Sequence, residues 1–241
     1  GVSNRLVIDR GGTVDNGGGL TFYTNNSLYL WGGTLALAGG TYNGGTFVVG
    51  DGTQSATLKS LAGATPLVWK CGLLITNNAT LRGNGTVGGA SLGVIITNGA
   101  TFSPGVSGPG TLTIGGSNLT WCPGGTYSCL ITDLNQGEGV GWPVLNVSSQ
   151  LNLATTAPLT IQLDSMTGSP ASNFNPSADY TLRIAGYGTM TGYAPANFVI
   201  NTNAFPGCTT NWSITNMNSS LYLVYRGAGL LFTNSEPILA F

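Results

Sequence analysis

The sequence predicts an all-β protein, a right-handed parallel β-solenoid with a less regular β part toward its C-terminal end. Three observations predict it. The phrases Ile75-Thr-Asn-Asn-Ala-Thr-Leu81 and Ile96-Thr-Asn-Gly-Ala-Thr-Phe102 nearly superpose, 21 residues apart, and a fixed period of that size is the mark of stacked coils. A shorter phrase, Gly-Thr-apolar, recurs at Gly12, Gly33, Gly40, Gly45, Gly85, Gly110, Gly125 and Gly188. Between these phrases apolar and polar residues alternate, which is the strand period, and no window carries a 3.6-residue period with helix caps.

Each part of the Gly-Thr-apolar phrase has a physical reason. Glycine permits a corner with positive φ. Threonine is β-branched and opens a strand, with a hydroxyl able to bond along the stack. The apolar residue points inward. In chain order the alternating runs are Arg5–Asp9, Ser27–Trp31, Thr34–Ala38, Thr111–Ile114, Val144–Ser148, Leu159–Leu163 and Tyr180–Ile184. A longer phrase matches without gaps at a distance of 52 residues, Thr24-Asn25-Asn26…Gly33-Thr34-Leu35 against Thr76-Asn77-Asn78…Gly85-Thr86-Val87. Ser27-Leu-Tyr-Leu30 is echoed late by Ser220-Leu-Tyr-Leu223.

Residues 1–120 read as regular solenoid repeats. Residues 121–241 read as a continuing, less regular β region, with a soft boundary near 120 to 145 and a loop-like excursion from Ser165 to Ser177. The stretch from Gly227 to Phe241 is apolar. It reads either as a last strand packed on its own domain or as a strand that pairs with a neighbouring molecule.

Composition narrows the function classes. Charged residues are 6% of 241 and the net charge is −1, so there is no electrostatic footprint for nucleic acid or an acidic membrane. Aliphatic and aromatic residues are regularly spaced, which separates this low charge from disorder. The 39 glycines lack a Gly-X-Y period, which excludes collagen. Histidine is absent, and with it the commonest general base and a favoured zinc ligand. No apolar run approaches 18 residues, so no helix is expected to span a membrane. The chain opens without a charged segment and apolar run, and reads as a mature or trimmed product.

Four cysteines, Cys71, Cys122, Cys129 and Cys208, occur without a Cys-x-x-Cys spacing. That excludes a zinc ribbon or thioredoxin-type site and points to an oxidising, extracellular setting. Cys122-Pro-Gly-Gly-Thr-Tyr-Ser-Cys129 reads as two strand ends around a turn, predicting a Cys122–Cys129 bridge. Cys71 and Cys208 then pair with each other, stay free or bond between subunits.

At three successive phrases the chain resembles a known family. Gly83-Asn-Gly-Thr-Val-Gly-Gly89, Thr97-Asn-Gly-Ala-Thr-Phe-Ser-Pro-Gly105 and Gly108-Pro-Gly-Thr-Leu-Thr-Ile-Gly115 are similar to the passenger-associated repeat of bacterial autotransporters. Phe102 stands where that repeat usually has leucine. The resemblance implies a secreted right-handed β-solenoid displayed outside a bacterium, and a scaffold without chemistry of its own. Two departures stand out: no outer-membrane barrel follows within these 241 residues, and such passengers usually have few cysteines.

Eight carboxylates are scattered along the chain, and Asp133 and Glu138 form the best acid–base pair. Their loop context favours a solvated turn. Asn-x-Ser/Thr sequons begin at Asn25, Asn78, Asn84, Asn118, Asn146, Asn211 and Asn218. Those asparagines read better as turns and coil-to-coil amide ladders than as glycan sites. Trp31, Trp69, Trp121, Trp142 and Trp212 lack regular rung spacing, so core packing is expected ahead of a sugar platform. No catalytic, cofactor-binding or metal-ligating residues are assigned.

The function expected is that of an extracellular structural subunit, assembling head to tail with copies of itself into a surface filament or layer. The terminal strands would carry the contact: Leu6, Val7 and Ile8 at one end, and Leu230, Leu231, Phe232, Ile238, Leu239 and Phe241 at the other. A carbohydrate-binding adhesin, with surface glycans as partners, is the alternative. A polysaccharide-degrading β-helix enzyme ranks third.

Overall fold

The computed structural model describes residues 4–88, 92–156, 158–166, 171–207 and 211–227. The fold is a stack of three-sided coils, a parallel β-solenoid. Coil 1 holds β1 (Arg5–Ile8) and β2 (Thr13–Phe22), and coil 2 holds β3 (Ser27–Leu30) and β4 (Gly33–Tyr42). Coil 3 holds β5 (Phe47–Val49), β6 (Ala56–Ser60) and β7 (Leu67–Trp69). Coil 4 holds β8 (Leu73–Ile75), β9 (Ala79–Gly83) and β10 (Thr86–Gly88). Coil 5 holds β11 (Val94–Ile96), β12 (Thr101–Pro104) and β13 (Thr111–Gly115). Coil 6 holds β14 (Leu119–Trp121), β15 (Thr126–Leu130) and the start of β16 (Val144–Leu153). The end of β16, β17 (Leu159–Asp164) and the start of β18 (Tyr180–Thr191) make coil 7. The end of β18 and β19 (Phe198–Ala204) begin coil 8, and β20 (Trp212–Met217) with β21 (Ser220–Tyr225) form a final hairpin.

β2, β4, β16 and β18 each bend at a corner and serve two sides, so three parallel ladders result. The first runs β1, β3, β5, β8, β11, β14 and the ends of β16 and β18. The second runs β2, β4, β6, β9, β12, β15, β17 and β19. The third runs through the second halves of β2 and β4, then β7, β10, β13 and the starts of β16 and β18. There it meets β21, which is antiparallel, and β21 carries β20, antiparallel again.

The core is built of inward rows, one residue per coil. On the first side Ile8, Leu30, Val49, Ile75, Ile96, Trp121 and Leu153 are stacked in register. On the second, Val14, Leu35, Leu58, Leu81, Phe102, Tyr127, Ile161 and Ile200 are. Between Leu30 and Leu153 the first row is 5% exposed or less. Each fully buried aliphatic side chain contributes about 1.5–3 kcal/mol. Stability is therefore shared along the stack, because no coil can cover its own two open surfaces.

The outward neighbour of that second row is a line of threonines: Thr13, Thr34, Thr57, Thr80, Thr101, Thr126 and Thr160. Threonine hydroxyl bonds to the backbone of the coil below occur at a corner instead. Thr76 Oγ1 donates to the carbonyl of Val49 at 2.8 Å and Thr97 Oγ1 to that of Ile75 at 3.0 Å.

The 21-residue spacing is one coil, since Ile75 pairs with Ile96. Other coils differ: 22 residues separate Arg5 from Ser27, 19 separate Leu30 from Val49 and 25 separate Val94 from Leu119. From Leu119 to Leu151 the spacing is 32, and from Leu151 to Met190 it is 39. The ladders continue unbroken through residue 120. What loses regularity is the connections, with long insertions between β15 and β16 and between β17 and β18. Neither the 52-residue match nor the Ser-Leu-Tyr-Leu echo is a structural equivalence. Thr34 lies on the second side and Thr86 on the third. Leu28 lies in a parallel strand and Leu221 in an antiparallel one.

The Cys122–Cys129 bridge is corrected: both thiols are free. The strands around that turn are not hairpin partners. β14 pairs with β11 and β16, whereas β15 pairs with β12 and β17, so the Pro-Gly-Gly segment is a corner between two sides. Cys129 points into the core with no exposure and Cys122 stays half-buried at the corner. Cys71 is also a half-buried free thiol, and Cys208 lies outside the described residues. No disulfide forms among the described residues.

Candidate functional site

Strand edges left over at the two ends of the stack are where assembly chemistry would reside. At the first end, β1 pairs only with β3, and β2 only with β4, among the described residues. The backbone groups on the other edge of these strands have no ladder partner there. Leu6, Val14, Leu20 and Phe22 point toward the core but remain half-buried, since no described coil lies beneath them. Of the expected contact residues here, Ile8 is buried, Leu6 half-buried and Val7 faces outward, 37% exposed. The charges of this coil cancel, Arg5 and Arg10 against Asp9 and Asp15.

At the other end, β19 pairs only with β17 and β20 only with β21 among the described residues. Two antiparallel steps restore the strand sense. β20, the outermost described strand of the third side, therefore runs parallel to β18 and to every rung before it. Phe198 and Ile200 of β19 face Trp212 and Ile214 of β20 across a cavity of about 310 Å³. Trp212 and Ile214 are nearly buried, while Phe198 and Ile200 are half-buried. The expected contact residues Leu230, Leu231, Phe232, Ile238, Leu239 and Phe241 lie outside the described residues. The described chain closes with Gly227, whose N–H donates to Asp179 Oδ1 at 2.9 Å.

Asp133 and Glu138 are not brought together as an acid–base pair. Asp133 Oδ1 accepts the Asn135 N–H at 2.9 Å and the Asn173 amide at 2.6 Å, and these bonds hold its carboxyl below the usual range. Glu138 is gripped by Arg183, with Nε donating to Oε2 at 2.7 Å and Nη2 to Oε1, and is lowered too. A general acid needs the opposite shift. Asp164 alone among the described carboxylates is raised, by burial. No group of three or more metal-ligating side chains occurs among the described residues.

The asparagines mostly reach backbone. Asn77 and Asn78 Nδ2 donate to the carbonyl of Gly52 at 3.0 and 3.1 Å. One amide-to-amide rung does form, from Asn4 Nδ2 to Asn26 Oδ1 at 3.4 Å. Of the tryptophans, Trp69, Trp121 and Trp212 belong to the core, and Trp142 donates to the carbonyl of Arg183. Trp31 is half-buried on the outside, beside Tyr29.

One feature escaped the sequence reading. The outward row of the first side is apolar through five coils: Val7, Tyr29, Val48, Leu74 and Ile95, giving way to Thr120, Asn152 and Thr191. Its signal was available, since Phe47-Val-Val49, Leu73-Leu-Ile75 and Val94-Ile-Ile96 are continuous apolar triplets where an exposed side would alternate.

Compared with known proteins, no family model matches the chain and no curated protein matches it. The likeness to the passenger-associated repeat rests on its motif residues alone.

Proposed function

We propose that this chain is a structural subunit that joins copies of itself end to end, building a filament or layer outside a bacterial cell. The observation that carries the reading is the first described coil, with Leu6, Val14, Leu20 and Phe22 half-buried above a parallel edge that no described strand pairs. A coil from another copy would complete those rows and pair that edge. A head-to-tail contact that does not close produces a fibre. At the far end β20 offers an edge of matching strand sense. The low charge, with a net of −1, lets copies stack without repulsion.

The sequence beyond Gly227 supports the same reading. Leu230-Leu-Phe-Thr-Asn234 repeats the pattern of Leu73-Leu-Ile-Thr-Asn77 and Val94-Ile-Ile-Thr-Asn98. Those two phrases form the first side and its corner in coils 4 and 5. A segment of that pattern, donated to the first coil of the next copy, is strand addition to an open edge. Placement outside the cell rests on the repeat resemblance and on a surface made of Asn, Thr and Gly.

The test is electron microscopy and sedimentation of the full chain beside a chain ending at Gly227 and a Val14→Lys variant. Fibres with a subunit rise of roughly 40 Å are expected, from about 4.8 Å per rung over eight coils. Both altered chains should remain single particles. Monodisperse full-length protein at every concentration would refute the proposal.

A further inference from the structure

β3 and β5 meet in register only at Leu30 and Val49. Their neighbours on the same side pair over whole strands, four positions for β1 with β3 and three for β5 with β8. The beginnings of β3 and β5 therefore splay apart and open a wedge on the outer surface of coils 2 and 3. The Phe47 N–H turns the other way, to the carbonyl of Gly72 at 2.8 Å. A cavity of about 270 Å³ occupies the wedge, lined among others by Tyr29, Trp31, Tyr42, Thr46, Val48 and Asp51.

The lining is of two kinds. The rings of Tyr29 and Trp31 lie 5.4 Å apart and tilted by 50°. The Arg5 guanidinium covers them at 4.8 and 5.3 Å but does not line the cavity, so the ring surface turned to the cavity is open. The remaining lining groups bring oxygens. Asp51 Oδ1 accepts the N–H groups of Thr53 and Gln54 at 2.8 and 3.0 Å and the Thr53 hydroxyl at 2.8 Å. Those bonds keep the carboxyl charged and fix its direction. Thr46 and the Tyr42 phenol, which burial keeps protonated, add hydroxyls.

We propose that this wedge binds one neutral hexopyranose unit of a polysaccharide. A pyranose has an apolar C–H face, which suits the Tyr29 and Trp31 rings, and a rim of hydroxyls, which suits Asp51, Thr46 and Tyr42. The volume lies just under the usual range for small-ligand pockets, about 300–1,000 Å³. It therefore takes a single ring, with the rest of the chain lying across the apolar outward row of Val48 and Leu74. Asp51 repels an acidic sugar, and a cationic ligand would find the aromatic pair already faced by Arg5. The wedge opens on the outer face of β3 and β5, one rung in from the β1 edge, and none of its lining residues belongs to that edge strand, so the inference stands apart from end-to-end assembly.

The test is isothermal titration and tryptophan fluorescence of the full chain with hexasaccharides of glucose, mannose, galactose and N-acetylglucosamine, and with a galacturonic acid oligomer. At least one neutral hexose series should bind. Trp31→Ala and Tyr29→Ala should each weaken it about tenfold, the scale of one lost aromatic contact, with unchanged melting temperature. Trp31→Tyr should retain binding, and Val199→Ala, on a distant exposed site, should bind as the parent does. No binding of any neutral hexose series at millimolar concentration, binding of the acidic oligomer alone, or binding that survives loss of both rings would overturn the proposal.

Discussion

Asn77 occupies the space that a side chain on Gly99 would need. A Cβ on Gly99 would stand 1.9 Å from Asn77 Oδ1, while the Asn77 amide nitrogen bonds the carbonyl of Gly52 one coil below. The same arrangement recurs at Asn98 with Gly124, 2.0 Å, and at Asn84 with Gly110, 1.8 Å. Asparagine on one coil and glycine on the next thus interlock along the corners.

The interlock predicts a coupled pair of substitutions. Gly99 has φ +71, so Gly99→Ala costs about 1–2 kcal/mol from left-handed backbone alone. The collision with Asn77 should bring the total to about 2–4 kcal/mol. Asn77→Ala removes a hydrogen bond and should cost about 1 kcal/mol. In the double variant the collision is gone. Its loss in urea unfolding should fall short of the sum by more than about 0.5 kcal/mol, and strict additivity would show the contact to be unimportant.

Stability should hardly change between about pH 5 and 8, because no histidine is present to titrate there. Below that range it should fall. Arg183 holds the Glu138 carboxyl below its ordinary range, and Arg226 with the Gly227 N–H does the same for Asp179. Asp133 and Asp51 are lowered by backbone N–H and side-chain donors. For each, the folded pKa lies under the unfolded one. The stabilisation is complete above the unfolded value, about 4, and is lost as pH drops through the folded value. Asp164 works in the reverse sense. Burial raises it, so its contribution is present at low pH and lost as pH rises through its folded value. Four groups oppose one, so thermal melts should shift downward below about pH 4. Glu138→Gln should cost only about 0.5 kcal/mol at neutral pH, because the ion pair is partly exposed.

The thiols should separate by burial. Cys129 has no exposure, and desolvation drives its thiol far above the ordinary range, with the Asp164 charge adding to the effect. A maleimide applied to the folded protein should label half-buried Cys71 and Cys122 and leave Cys129 untouched until denaturant is added. Recovery of a Cys122–Cys129 peptide without reduction would contradict the corner geometry.

The coil period and the inward rows were legible because a parallel ladder repeats the same side-chain environment one coil later. Ile75 and Ile96 share a row, and so do Leu81 and Phe102. Which side a strand belongs to was not legible. Gly-Thr-apolar marks the exit from any corner: Gly33-Thr34 opens the second side, whereas Gly85-Thr86 and Gly110-Thr111 open the third. The reversal at β20 and β21 was hidden as well, because alternation reads alike in parallel and antiparallel strands. The wedge beside Tyr29 and Asp51 depends on a short coil, Leu30 to Val49, whose splay no residue type announces. The cysteine pairing failed for a related reason, since a Pro-Gly-Gly turn looks the same at a corner as in a hairpin.

Tyr127 ties the enlarged coils to the regular ones. It is 1% exposed, and its hydroxyl lies 3.0 Å from the carbonyl oxygen of Pro143 and 3.1 Å from that of Ile184. The first carbonyl closes the insertion between β15 and β16, and the second belongs to β18. Burial keeps the phenol protonated, so it serves as a donor. Tyr127→Phe would retain the ring contact with Phe102, 4.9 Å between centroids, and remove the single proton that two buried carbonyls share. The cost should be about 1–2 kcal/mol. It should appear chiefly as faster amide exchange over residues 131–143 and 180–187, while coils 2 to 5 keep their protection. Uniform loss of protection along the stack would mean that the ring alone, and not the hydroxyl, holds these coils together.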